Sequence, residues 1–196
     1  KHRRTNKEMK LANAVTFMAN ERSRLDEAFA GDIIGIIARG GLQLGDTVTE
    51  GESLQYTGLP FFAPELFRSV ELLDPMRSKQ LNRGLQELGE EGAIQVFRPV
   101  LGNNLLLGAI GVLQFEVAAH RLKSEYGVEV RMAPANYFGA RWVSADEDAE
   151  LRRFCDNNQD KLAMDAADES AYLLSSPYDL ELTQKHWPLI HFHAMR

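Results

Sequence analysis

LFRSVELLDPMRSKQLNRGLQELGEEGAIQVFRPVLGNNLLLGAIGVLQFEVAAHRLKSEYGVEVRM, Leu66 to Met132, holds six segments whose hydrophobic periods are those of strand, helix, strand, strand, helix and strand. Leu66 to Leu73 alternates, with Val70 and Leu72 on one face, and ends at Asp74-Pro75, so it reads as a strand. Ser78 is placed to cap a helix whose Leu81, Leu85 and Leu88 share a face, and Gly89 with Gly92 is placed to stop it. Ile94 to Arg98 alternates up to Pro99. Gly102-Asn103-Asn104 supplies a hairpin turn, and LLLGAIG reads as a buried strand. From Val112 to Tyr126 the positions Phe115, Ala118, Ala119, Leu122 and Tyr126 line one helical face, with Gly127 where a C-terminal cap belongs. Val128, Val130 and Met132 close the set. The order βαββαβ predicts an α/β-plait, an antiparallel sheet with two helices on one face.

Downstream the same order returns without repeated sequence. GARWVSA predicts a strand and DEDAELRRFCDNN a helix; KLAMDA and AYLLS form a hairpin around Ala167-Asp168-Glu169. PYDLELTQKHW predicts a helix capped by Ser176, with Pro177 in its first turn, and LIHFHA a last strand. The second βαββαβ unit is either a separate plait or part of one shared sheet.

Upstream, residues 1–58 lack a helical period. LANAVTF, DIIGIIA and DTVTEGESLQY are β-rich pieces, and Gly31-Asp32 and Gly45-Asp46 punctuate them as turns. About four strands can be counted where a closed barrel needs about six, so a partial antiparallel β-barrel that begins inside its domain is expected. Gly58 to Pro64 carries two prolines and reads as a packed crossover. The predicted fold class is α+β, with a partial barrel over 1–68 and a plait domain over 69–196.

The 196 residues are 44% hydrophobic and 26% charged, ordinary for a soluble globular chain, and no apolar run is long enough to span a membrane. A single cysteine, Cys155, excludes an internal disulfide and fits a cytoplasmic location. The net charge of −6 is uneven: residues 1–70 carry nine basic and nine acidic side chains, and 71–196 carry thirteen and nineteen. An acidic body of this kind is unsuited to non-specific nucleic-acid binding or to sequence-specific DNA recognition. The basic edge KHRRTNKEMK makes Lys1, Arg3, Arg4 and Lys7 the candidates for any RNA contact, against the plainer reading of a solvated turn. Arg98, Asn103 and Asn104 bracket a hairpin end, where binding residues often sit, and are candidate contacts to a ribosomal or partner protein; a hairpin turn chosen for αL propensity is the plainer and favoured reading of the asparagines.

His191 and His193 share a strand face with His186 nearby, but no further ligand follows in sequence, so no metal is assigned. Cys155 reads as an inert, buried thiol, and Glu90 with Glu91 as a solvated turn. No nucleophile with a base is visible, so no catalytic residue is assigned. A free-standing plait enzyme or ligand sensor remains a minor alternative.

Several phrases resemble the bacterial class II peptide chain release factors, in the part that follows their GTPase domain. They are NAVTFMA at Asn13 to Ala19, DEAFAGDI at Asp26 to Ile33, LQLGDT at Leu42 to Thr47 and FAPELFR at Phe62 to Arg68. GLQELGEEGAIQVFRP at Gly84 to Pro99, GAIGVLQFEV at Gly108 to Val117 and RLKSEYGVE at Arg121 to Glu129 extend the resemblance over nearly the whole chain. Elongation factor G, the alternative, shares the barrel and a plait, but its second plait helix opens with a phrase like G-x-GELHL where this chain has GVLQFEV. The resemblance implies a ribosome-binding module of a termination GTPase that promotes GTP-dependent departure of class I release factors after peptide release. Its implied partners are the ribosome, the class I factors and its own N-terminal GTPase domain. GTP or GDP and magnesium are implied in that domain and no cofactor in this chain. No G-x-x-x-x-G-K-[ST] string occurs in the 196 residues, so this chain is not expected to hydrolyse GTP; Asp32-Ile33-Ile34-Gly35 matches D-x-x-G only as a decoy, and Asn6-Lys7-Glu8-Met9 lacks the base-reading Asp of N-K-x-D.

Overall fold

The computed structural model describes residues 1–8, 15–18, 21–24, 27–36, 42, 44–56, 61–102 and 104–195. The chain forms two compact units, Lys1–Leu59 and Pro60–Arg196. This division precedes the one expected at 68/69, because residues 62–65 are already bonded within the second unit: Ala63 N–H donates to Ala194 O (2.8 Å) and Glu65 N–H to Ala109 O (3.2 Å).

In the first unit, β1 (Val15–Met18) and β2 (Glu21–Arg24) form an antiparallel pair in which Val15 faces Arg24. His2 bridges Val48, and Val15 bridges Gly35 through bonds of 2.9 and 2.7 Å. The DIIGIIA piece does not form a strand over Asp32–Ile34. Asp32 instead closes a turn onto Phe29, accepting from its N–H at 2.7 Å, and Ile33 is left exposed. Residues 11–14 and 37–38 of the expected strands, and 58–60 of the crossover, lie outside the described residues.

The second unit contains β3 (Leu66–Leu72), α1 (Ser78–Glu90), β4 (Gln95–Pro99), β5 (Leu106–Ala109), α2 (Val112–Tyr126) and β6 (Val130–Pro134). The second series is β7 (Gly139–Ala145), α3 (Asp148–Asn157), β8 (Leu162–Met164), β9 (Ser170–Leu174), α4 (Pro177–His186) and β10 (Ile190–His193). Strand order is β10-β7-β9-β8-β4-β5-β3-β6, all pairs antiparallel. Both alternatives left open by the sequence therefore hold together. Each series has the plait order, and the second strands of the two plaits, β4 and β8, join them into one eight-stranded sheet. The junction is short: Arg98 faces Met164, Pro99 faces Ala163, and Val100 N–H donates to Leu162 O (2.8 Å).

Parity along the strands divides the core into three parts. Val70, Val96 and Leu107 pack under Leu81, Leu85 and Leu88 of α1 and Phe115, Ala118 and Leu122 of α2. Val143, Tyr172, Leu174 and Ile190 do the same with Phe154 of α3. The alternate residues Phe67, Phe97, Leu106, Trp142, Ala163 and Leu173 form a third cluster without any helix. Phe97 and Ala163 are fully buried there, so the helix-free face also carries a core, shared by the two plaits, with Ala63, Ala135 and Tyr137 packed against it.

Helix ends follow local chemistry with two differences from expectation. Ser78 is the first residue of α1, not its cap; Asp74 precedes it and caps a 3-10 turn over Pro75–Arg77, accepting from Met76 N–H at 3.0 Å. Ser176 holds the N-cap position of α4, but its hydroxyl makes no capping bond, and Asp179 accepts from Ser175 N–H instead (2.9 Å). α1 runs through Gly89 and ends at Glu90, and Gly92, φ +71°, then turns the chain so that Ala93 N–H reaches Leu88 O. Gly127, φ +65°, ends α2 as expected, with Val128 N–H on Leu122 O.

Candidate functional site

The basic N-terminal edge is tied into the first unit's Gly45-Asp46 turn. Arg4 donates twice to the Asp46 carboxylate (2.8 and 2.9 Å), and His2 Nε2 lies 2.9 Å from the same group. Thr49 N–H donates to Lys1 O (2.9 Å), and Arg3 donates to Ser53 Oγ at 3.1 Å. Of the four candidates here, Lys7 is exposed and its carbonyl accepts from His2 N–H. The Arg4 guanidinium is thus engaged by a carboxylate within the fold.

Arg98 lies in the second unit at the β4–β8 junction. Its guanidinium donates to Asp165 O (2.9 Å) and to the Asp168 carboxylate, gripping the β8–β9 turn. Asn104 is exposed in the β4–β5 loop, and Asn103 lies outside the described residues. Arg98 and Asn104 share one cleft of about 630 Å³ between α1, the β4–β5 loop and the β8–β9 turn. Asn82 and Gln86 of α1 form its far wall, residues that the sequence presents only as a solvated helix face.

The turn itself depends on Asp165, which the sequence reading passed over. This buried carboxylate accepts from Trp142 Nε1 (2.9 Å) and from the N–H groups of Ala167 and Glu169 (both 2.9 Å). The signal was present in DAADE, where an Asp opening a turn can bond the backbone two residues ahead. Its inward direction, set by Trp142 across the sheet, has no local sequence signature. Asp168 follows in the left-handed region, φ +63°.

On the helical surface, Arg83 pairs with Glu87 (2.8 Å), which also accepts from the Tyr126 hydroxyl (2.6 Å). The Tyr126 bond and Arg83 hold the Glu87 carboxyl below its ordinary range, and burial with the Glu87 bond pushes the Tyr126 phenol up to about 12. Arg121 joins Glu125 (2.6 Å) and Glu91 (2.5 Å), so Glu91 closes a contact between α1 and α2. His193 Nε2 is 2.7 Å from Ser144 Oγ, and His191 is 3.5 Å from Asp146. Among the described residues no three His, Cys, Asp or Glu side chains assemble as metal ligands. Burial raises the Cys155 thiol above its ordinary range, which disfavours the thiolate. The Asp32 carboxylate of the D-x-x-G string accepts from Phe29 N–H in its own turn.

Comparison with known proteins accords with this architecture. Residues 56–184 match the family described as class II release factor RF3, C-terminal domain, and residues 1–51 match elongation factor G domain 2. A protein of Bordetella petrii named peptide chain release factor 3 is 58% identical over 194 residues, and one of Nitrosomonas eutropha with the same name is 56% identical over 193. Each alignment covers 98% of this chain and 36% of the relative, so the chain spans about a third of the length of the curated relatives it matches. A crystal structure of a Thermus thermophilus protein shares the fold at TM-score 0.53 and 23% identity, over 71% of this chain and 21% of that one. The chain belongs to the class II release factor RF3 family.

Proposed function

We propose that this chain is the ribosome-docking and coupling module of a translation-termination GTPase, in which GTP and magnesium are held by an N-terminal domain. In this reading the full-length protein hydrolyses GTP and promotes departure of class I release factors from the ribosome after peptide release, in the cytoplasm. The supporting observation is the match of residues 56–184 to the C-terminal domain of release factor RF3. The match of residues 1–51 to elongation factor G domain 2 fits a shared barrel and does not favour a translocation factor.

The plait unit suits a transmitting role. Two plaits share a sheet and a core, so force applied at one end is carried by packed strands, and residues 62–65 are bonded both to Ala194, beside the β10 edge, and to Ala109 of the interior strand β5. Lys1, Arg3, Arg4, Lys7, Arg98, Asn103 and Asn104 are proposed as contacts to the ribosome or partner factor. Arg98→Glu and Lys7→Glu in the full-length protein are expected to weaken ribosome binding; unchanged binding and recycling in both would remove those contacts. Co-sedimentation of the chain with release complexes tests the docking role, and its failure under conditions where the full-length protein binds would assign docking to other domains.

A further inference from the structure

The cleft beside Arg98 has a chemistry of its own. Its floor is apolar, made by Leu85, Val96, Leu105 and Ala166, and its walls carry the carboxamides of Asn82, Gln86 and Asn104. Among the described residues the carboxamides of Asn82 and Asn104 have no protein hydrogen-bond partner, and Gln86 uses only its N–H₂, on Glu90 at 3.0 Å. A primary carboxamide presents one donor side and one acceptor side, as a peptide group does. Asn82 and Gln86 stand one helical turn apart, about 6 Å along α1, close to the roughly 6.6 Å between alternate residues of an extended chain. The guanidinium of Arg98 is engaged by Asp165 O and Asp168, so the cleft presents no free cation, and no aromatic ring is among its described lining residues. Phosphate neutralisation and base stacking, which RNA would require, are both missing there.

We propose that this cleft binds an extended, uncharged peptide segment of a protein partner, with an aliphatic side chain on Leu105, Ala166 and the edge of Val96, and its backbone on the three carboxamides. The proposal rests on the reading of the chain as a docking module and names the kind of partner that the Arg98–Asn104 end would take. The cleft lies wholly within the plait unit, at the junction of its two plaits, so occupancy would bridge α1 and the β8–β9 turn.

The test is amide chemical-shift mapping on the full chain with end-blocked hexapeptides of otherwise uncharged residues, differing only in a central leucine, glycine or aspartate. The leucine peptide, at low millimolar concentration, should move the amides of Asn82, Gln86, Asn104 and Ala166, and the glycine and aspartate peptides should bind more weakly. The double variant N82A/N104A, which removes two exposed side chains and no internal bond, should weaken the leucine peptide about tenfold. Unmoved cleft amides, movement confined to another surface, equal binding by the double variant, or movement of the cleft amides by a uridine hexamer and not by peptide would each overturn the proposal. Recycling by the full-length protein is read separately, so loss of the termination role and loss of the peptide site are distinguishable.

Discussion

Gly84→Ala should destabilise the plait unit, while Gly89→Ala, five residues along the same helix, should stabilise it. A Cβ at Gly84 would lie 2.8 Å from Leu122 Cδ2 and 3.0 Å from the Tyr126 ring, where α1 crosses α2. Leu122 is fully buried and the Tyr126 hydroxyl is bonded to Glu87, so neither neighbour moves without loosening the core. Overpacking of this kind costs about 1–3 kcal/mol, and better helix propensity returns about 1 kcal/mol, leaving a net loss of about 1 kcal/mol. At Gly89 the new methyl meets Ala166 Cβ and Val96 Cγ2 at 3.5 Å, ordinary contact, so the propensity gain of about 0.5–1 kcal/mol is retained. Trp142 and Trp187 are the only tryptophans and both belong to the plait unit, so their fluorescence during urea unfolding reports that unit alone. The two midpoints should move in opposite directions, with thermal midpoints moving about 3–5 °C per kcal/mol. A Gly84→Ala protein as stable as Gly89→Ala would refute the account of the helix crossing.

Three further outcomes concern the buried and paired groups. Asp165→Asn keeps size but supplies one acceptor oxygen, so either Trp142 Nε1 or the turn N–H groups lose their partner; a loss of about 1–3 kcal/mol is expected in urea, with altered Trp142 emission. Absorbance titration should place one tyrosine near pH 12, absent in Tyr126→Phe and lower in Glu87→Gln; because the folded value is raised, its stabilising contribution is complete below about pH 10 and lost as pH rises through about 12. Asp179 is raised by burial, but its bonds to Lys161 (2.6 Å) and Ser175 N–H bring the carboxyl below its ordinary range, so its contribution is complete at neutral pH and lost as pH falls below that range. Lys161→Met should therefore move acid unfolding to higher pH, as followed by fluorescence.

The plaits were legible because their segments obey simple periods: Leu81, Leu85 and Leu88 and the alternation of GARWVSA lie where the buried faces are. Their fusion was not, since the β4–β8 contact joins residues such as Arg98 and Met164 that no local pattern links. The DIIGIIA strand was overread because isoleucine content signals strand propensity, whereas pairing needs a neighbour, and here only Gly35 of the described part has one. For the candidate site, charge and turn residues drew attention to Arg98 and Asn104, but Asp165, Asn82 and Gln86 acquire their places through tertiary contacts alone. Within the basic edge read from KHRRTNKEMK, Arg4 is held by Asp46, a partner more than forty residues away.

The most direct measurement is the rate at which a fluorescently labelled class I release factor leaves ribosomes after peptide release. Full-length protein with GTP should accelerate that departure, and the present chain, with or without GTP, should neither accelerate it nor release phosphate. Departure unaffected by the full-length protein, or GTP turnover by this chain alone, would contradict the account.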